Sequence, residues 1–142
     1  MEIHYMNTIS EKDYNRLRKS VEWDEIPTKR AQTGLNNTAF QIVAVAGSVP
    51  VGMARVISDG GYIRYVADVV VHPDFQGYGI GQTMLNKIME HIHSDVEDND
   101  KILVCLMAAK GKESFYKKFG FGERPNDDFG AGMSQWITFK RV

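Results

Sequence analysis

A chain of 142 residues with 43% hydrophobic and 25% charged residues has the length to bury a real core and the balance of a globular domain. A formal net charge of −1 does not advertise a surface for nucleic acid or an anionic membrane. No apolar run approaches the roughly 20 residues needed to span a bilayer, and a single cysteine, Cys105, excludes an internal disulfide framework and fits a reducing cytoplasm.

The N-terminus, MEIHYMNTISEKDY, has neither a basic n-region nor an apolar h-region, so no signal peptide is expected. Glu2 to Met6 reads as a short first strand. Ser10 then opens a helix, with Ser10 and Asp13 spaced as a capping box and Ile9 and Tyr14 as a hydrophobic staple. Leu17 and Val21 continue its apolar stripe. Pro27 disfavours helix at Ile26 and ends the acidic stretch Glu22-Trp23-Asp24-Glu25. Thr28 to Leu35 fits a second short helix. The acidic stretch reads either as a solvated connection with Trp23 tucked onto the core, or as a substrate wall in which Trp23, Glu22 and Glu25 receive a cationic amine.

Ala39 to Ala46, a turn at Gly47-Ser48-Val49-Pro50, Val51 to Ser58, a turn at Asp59-Gly60-Gly61 and Tyr62 to Val71 form an antiparallel meander. The run Val69-Val70-Val71 suits a central strand covered on both faces. A helix follows from about Gly79, with Ile80, Met84, Ile88 and Ile92 on one stripe. His91 and His93, two apart on that helix, face different directions and make a poor metal pair, so no metal is expected. After an acidic loop, Ile102 to Ala108 reads as another buried strand, with Cys105 packed in it. Strand, helix and strand of this length predict a right-handed parallel crossover. Lys112 to Phe119 reads as a short helix stopped by Gly120, and Phe121 and Met133 to Lys140 as one or two closing strands. The whole, residues 1–142, is expected to be a single α+β or mixed α/β domain.

The stretch that organises the chain is Gln76-Gly77-Tyr78-Gly79-Ile80-Gly81, between the apolar strand and the helix. A helix start aims several free backbone N–H groups at one spot, which suits a phosphate. A dinucleotide fingerprint is disfavoured, because the glycines run G-x-G-x-G and Glu97, the acid that should end the next strand, falls in a loop. A triphosphate loop is disfavoured too, since no Gly-Lys-Ser/Thr ends the motif. A tight strand-to-helix connection without a ligand is the plainer alternative.

The same hexad has the Q/R-x-x-G-x-G pattern of the GCN5-related N-acetyltransferase (GNAT) family. Asp68-Val69-Val70-Val71-His72-Pro73 resembles that family's central strand and its exit, and Phe115-Tyr116-Lys117-Lys118-Phe119-Gly120-Phe121 resembles its F-Y-x-x-x-G-F segment. Order and spacing match across essentially the whole chain. The resemblance implies a mixed, mostly antiparallel sheet with splayed parallel fourth and fifth strands, flanked by about four helices. It implies acetyl-CoA as acetyl donor, its pyrophosphate held by the backbone of Gln76, Gly77, Tyr78, Gly79, Ile80, Gly81 and Gln82. The pantetheine arm would lie along Val69, Val70 and Val71 like an added strand, with a backbone N–H there polarising the thioester carbonyl.

Tyr116 matches the tyrosine that protonates the leaving thiolate in many members; a phenol can do so while neutral at pH 7. Where some members place a Glu or His base, this chain has Tyr65 and Ala67. Asp68 is the neighbouring candidate, although alternation turns it to the other face unless a bulge intervenes, and a structural hydrogen-bonding role fits it better. A water chain ending at Glu22, Asp24 or Glu25, or attack by the free-amine fraction, stays open. The asparagine that often binds pantetheine is replaced by Ala109. The expected function is direct acetyl transfer to a primary amine of a small molecule. A protein N-terminal or lysine acetyltransferase and a non-catalytic acyl-CoA sensor are the alternatives. A homodimer is common in the family.

Overall fold

The computed structural model describes residues 2–138 and divides the chain into two compact units, Met1–Leu106 and Met107–Val142. In the first unit, α1 (Glu11–Ser20) starts where the Ser10 hydroxyl accepts from the Asp13 N–H at 3.1 Å. The Asp13 carboxylate accepts from that hydroxyl rather than from the Ser10 backbone, so only half of the capping box forms. Ile9 packs on the same buried group as Tyr14, as a staple should. Pro27 caps α2 (Thr28–Asn36), which runs one residue beyond the expected Leu35.

Five strands form one sheet in chain order: β1 (Ile3–Met6), β2 (Phe40–Ala46), β3 (Val49–Ile57), β4 (Ile63–Val71) and β5 (Leu103–Leu106). The first three pairings are antiparallel and β4–β5 is parallel, the crossover being α3 (Ile80–Ser94). The first hairpin is tighter than the expected four-residue turn. Val49 and Pro50 join β3, leaving Gly47 and Ser48, with Gly47 at φ 63, as residue types with open left-handed space allow. The expected buried strand Ile102 to Ala108 is shorter, Leu103–Leu106, and it is an edge strand with Leu103 exposed and Cys105 half-buried.

Helices cover both faces of the sheet. Gly52 and Met53 are adjacent on β3 and so point to opposite faces. A Cβ on Gly52 would lie 3.3 Å from both Ile80 and Met84, which fixes α3 on that face. Met53 instead joins Tyr14, Leu17, Ala31 and Val70 beneath α1 and α2. The α3 stripe is Ile80, Met84, Leu85, Ile88 and Ile92, all buried. His91 stacks on Phe40 with centroids 4.0 Å apart, while the His93 ring turns back to the Met89 carbonyl.

The second unit holds α4 (Glu113–Lys117), shorter than the expected Lys112 to Phe119, with Gly120 at φ 91 just beyond it. No closing strand forms over Phe121 or Met133–Thr138 among the described residues; Met133, Trp136 and Ile137 are 93%, 94% and 82% exposed. Phe139 and Lys140 lie outside the described residues.

Truncating the fully buried Ile88 should cost about 2–5 kcal/mol, measured by urea denaturation of Ile88→Ala. A pH dependence is also expected. Burial, then the hydrogen bond to Asp68, pushes the Tyr14 phenol above its ordinary value of 10.0. A raised folded value means the stabilisation is fully present below the unfolded value and is lost as pH rises through the folded one. Stability should therefore fall above about pH 10, and Tyr14→Phe should flatten that fall.

Candidate functional site

Parallel pairing of β4 with β5 runs from Ile63↔Leu103 to Val66↔Leu106 and stops, while β4 continues to Val71. β5 ends at Leu106, so among the described residues Ala67–Val71 has a sheet neighbour on the β3 side only.

The same segment carries a bulge. Arg55 lies opposite Ala67 and Met53 opposite Val70, so Asp68 and Val69 share the single residue Ala54. Residues directly opposite in an antiparallel pair share a face. Val66, opposite Val56, thus faces α3, whereas Val70, opposite Met53, faces α1. Without the extra residue Val66 and Val70 would point the same way. Asp68 holds the bulge in the left-handed region, at φ 53, where an L-residue gives up about 1–2 kcal/mol.

Three donors occupy its carboxylate. Oδ2 accepts from Tyr14 Oη and Arg55 Nε, each at 2.7 Å, and Oδ1 accepts from Arg18 Nη1 at 3.0 Å. The side chains of Arg18, Asp68 and Arg55 are only 10%, 13% and 16% exposed. Arg18 also donates to the Asp24 carbonyl and lies over the Trp23 ring, 5.3 Å from its centroid. Arg55 also donates to the Gly34 carbonyl and the Thr38 hydroxyl. Sequence reasoning missed Tyr14, Arg18 and Arg55 as a group. The available signal was Arg18 itself, four residues after Tyr14 on the buried side of α1, where a cation requires a partner.

Beyond β4, the His72 N–H donates to the Val51 carbonyl at 2.8 Å, and Pro73–Phe75 makes a 3₁₀ turn. Gln76 Nε2 reaches back to the Val71 carbonyl at 3.0 Å, so that carbonyl points away from β3, to the open edge. Gly77 and Gly79 have φ of 85 and 78, and a Cβ on either would meet nothing within 4 Å. Conformation, not crowding, calls for glycine there, and the space before the loop is open.

Gly79 is the N-cap of α3, and no side chain caps the helix. The first helical bond runs from the Thr83 N–H to the Gly79 carbonyl. The N–H groups of Gly79, Ile80, Gly81 and Gln82 consequently have no helical acceptor. Tyr78 is 66% exposed; the Ile80 side chain is buried and offers only its backbone. Val70 likewise is buried, between half-buried Val69 and Val71.

Trp23 packs partly buried against the Tyr14–Leu17–Met53 group, and one face of its indole already meets Arg18. Glu22, at φ 65, and Glu25, beside Lys19 at 3.7 Å, are exposed. In the second unit, Tyr116 is 9% exposed and meets the rings of Phe115 and Phe121 edge-on. Burial pushes its phenol above the ordinary 10.0. Ala109 is exposed, its carbonyl accepting from the Lys112 N–H.

The family model described as Acetyltransferase (GNAT) domain matches residues 37–123, which include the bulge, the open edge and the glycine loop. An uncharacterised N-acetyltransferase, ycf52, of Pyropia yezoensis is 33% identical over 118 residues, or 80% of this chain and 66% of that protein. Serotonin N-acetyltransferase 2, chloroplastic, of Oryza sativa subsp. japonica is 30% identical over 111 residues, or 78% of this chain and 48% of that protein. The match thus spans less than two thirds of these curated relatives' own length. A crystal structure from meticillin-resistant Staphylococcus aureus, described as a probable acetyltransferase, has a TM-score of 0.84 at 27% identity, covering 97% of this chain and 100% of that one. With its family model spanning more than half of the sequence, the chain belongs to the GCN5-related N-acetyltransferase family.

Proposed function

We propose that the chain is an acetyl-CoA-dependent N-acetyltransferase that moves the acetyl group directly to the primary amine of a small molecule. The observation that carries this reading is the succession of two backbone surfaces: the β4 edge from Ala67 to Val71, which β5 does not pair, is followed after the Pro73–Phe75 turn by the uncapped start of α3. One surface suits an amide-bearing arm that pairs like a strand, and the other suits a pyrophosphate. Bound acetyl-CoA would supply the activated acyl thioester.

The chain's own groups then divide the work. Backbone N–H groups from Gly77 to Gln82 hold the pyrophosphate, with Gln76 at the edge of the loop and an anion at the helix start favoured by about 0.3–1 kcal/mol. Val71 and Val69 bind the pantetheine through their main chains, and the Val69 N–H polarises the thioester carbonyl as charge develops on it. Val70 fixes the strand by anchoring in the core. Tyr116 donates its proton to the departing thiolate. Its raised value keeps the phenol protonated throughout the working range. Asp68 serves the backbone rather than taking the amine's proton, since its oxygens already accept three hydrogen bonds. The amine loses its proton to water or a water chain ending at the acids of residues 22–25.

The acceptor is recognised at Trp23, Glu22 and Glu25. With Arg18 on one indole face, the carboxylates rather than that face receive the acceptor's positive charge. The rice relative named for serotonin supports a small amine.

Acetyl-CoA turnover against an amine panel, followed by thiol release, should show transfer to at least one small amine. Tight CoA binding without turnover on any amine would instead make the chain a sensor. Tyr116→Phe should lower kcat by about a hundredfold and remove the alkaline fall of the profile above pH 10; an unchanged rate and profile would remove the acid assignment. Gly79→Ala should raise KM for acetyl-CoA with little change in kcat, since an L-residue at φ 78 strains the loop that holds the pyrophosphate.

A further inference from the structure

Among the described residues, Asp68 alone combines a place inside a strand, a left-handed backbone and a carboxylate gripped from three directions. The grips come from separate elements. Tyr14 and Arg18 reach it from α1, and Arg55 from β3. Two of the donors are themselves tied to main chain: Arg18 to the Asp24 carbonyl at 2.8 Å, and Arg55 to the Gly34 carbonyl at 3.1 Å. The carboxylate is thereby fixed in position by the scaffold, and the backbone that bears it is fixed in turn.

That backbone sets the direction of the next peptide. The ψ of Asp68 orients the peptide plane joining it to Val69, and with it the Val69 N–H. If Asp68 relaxed to the extended region, the bulge would dissolve and β4 would slip in register against β3. The N–H that follows would turn with it.

We propose that Tyr14, Arg18 and Arg55 are positioning residues that act through Asp68: by fixing its carboxylate they hold the bulge and so aim the Val69 N–H along the open β4 edge. The inference rests on the reading of that edge as the acyl-donor slot. It also assigns Asp68 a geometric part in the reaction instead of a basic one.

The test uses two variants, with wild-type turnover measured first. Asp68→Asn keeps the size of the side chain and a residue type that tolerates the left-handed region, but it loses the charge that answers both guanidiniums. Its kcat should fall about tenfold or more, with KM for acetyl-CoA within about twofold and the shape of the pH profile unchanged. Tyr14→Phe removes one hydrogen bond and leaves both ion pairs; it should show the same split with a smaller fall. A folded Asp68→Asn with unchanged kcat would reduce the clamp to a structural ion pair and overturn the proposal. Loss of the acidic limb of the profile would overturn it in favour of Asp68 as base. If Asp68→Asn does not fold, the Tyr14→Phe split decides alone, an unchanged kcat overturning the proposal. If the wild type turns over no amine, the transfer reading fails while the geometry is still decided by amide NMR. In Tyr14→Phe the Val69 N–H should shift and exchange faster while that of Val66 does not; an unmoved Val69 overturns the clamp.

Discussion

The grip of Arg18 and Arg55 on the Asp68 carboxylate is the interaction on which the middle of the sheet depends. Three ionic side chains, each less than a fifth exposed, sit together beneath α1 with two positive charges against one negative. Such an arrangement is tolerable only where hydrogen bonds satisfy the remaining polar atoms. Here Tyr14, the Asp24 and Gly34 carbonyls and the Thr38 hydroxyl do so. Removing the carboxylate alone would leave two largely desolvated guanidiniums without it, a loss on the order of 3–5 kcal/mol for a broken buried pair. That exceeds the roughly 1–2 kcal/mol given up by a left-handed L-residue, so the clamp can hold the strain.

What the strain achieves is a change of face. Val66 points toward α3 and Val70 toward α1, and only an extra residue between them lets both be buried, each at 2% exposure. Both helical layers are thus packed from one strand. The same irregularity comes beyond the last β4–β5 pair, Val66 with Leu106, so it does not disturb the parallel ladder. Packing, bulge and open edge are consequences of one local count of residues.

Much of this was legible in the sequence, and the division follows the range of the forces involved. The glycine loop and α3 were readable because their causes are local: glycine for left-handed backbone, and a stripe at helical spacing. Asp68 was readable as an ambiguous residue only, because a bulge is a property of two strands in register and not of one. Tyr14, Arg18 and Arg55 stand far from Asp68 along the chain and meet it only once the fold is made. The over-reading at the C-terminus has the same root. Met133 to Lys140 has strand-forming composition, yet composition supplies no neighbouring strand, and among the described residues Trp136, at 94% exposure, belongs to no sheet. For Ile102 to Ala108, the apolar run reads as a buried strand, while its place at the sheet edge leaves Leu103 exposed.

Arg18 has a consequence for the acceptor side. One guanidinium serves the Asp68 carboxylate, the Asp24 carbonyl and the Trp23 ring together. The loop proposed to receive the amine and the bulge proposed to polarise the thioester therefore share a single rigid group. A planar guanidinium cannot tilt to follow one partner without lengthening its bonds to another. A displacement of Trp23 or Asp24 by an ill-fitting amine would accordingly be felt at Asp68, and through it at the peptide bearing the Val69 N–H. Under the proposed transfer, acceptor fit and carbonyl polarisation are then linked by covalent geometry within one side chain. No domain movement is needed for that link, because the coupling lies in bonds already made in the first unit.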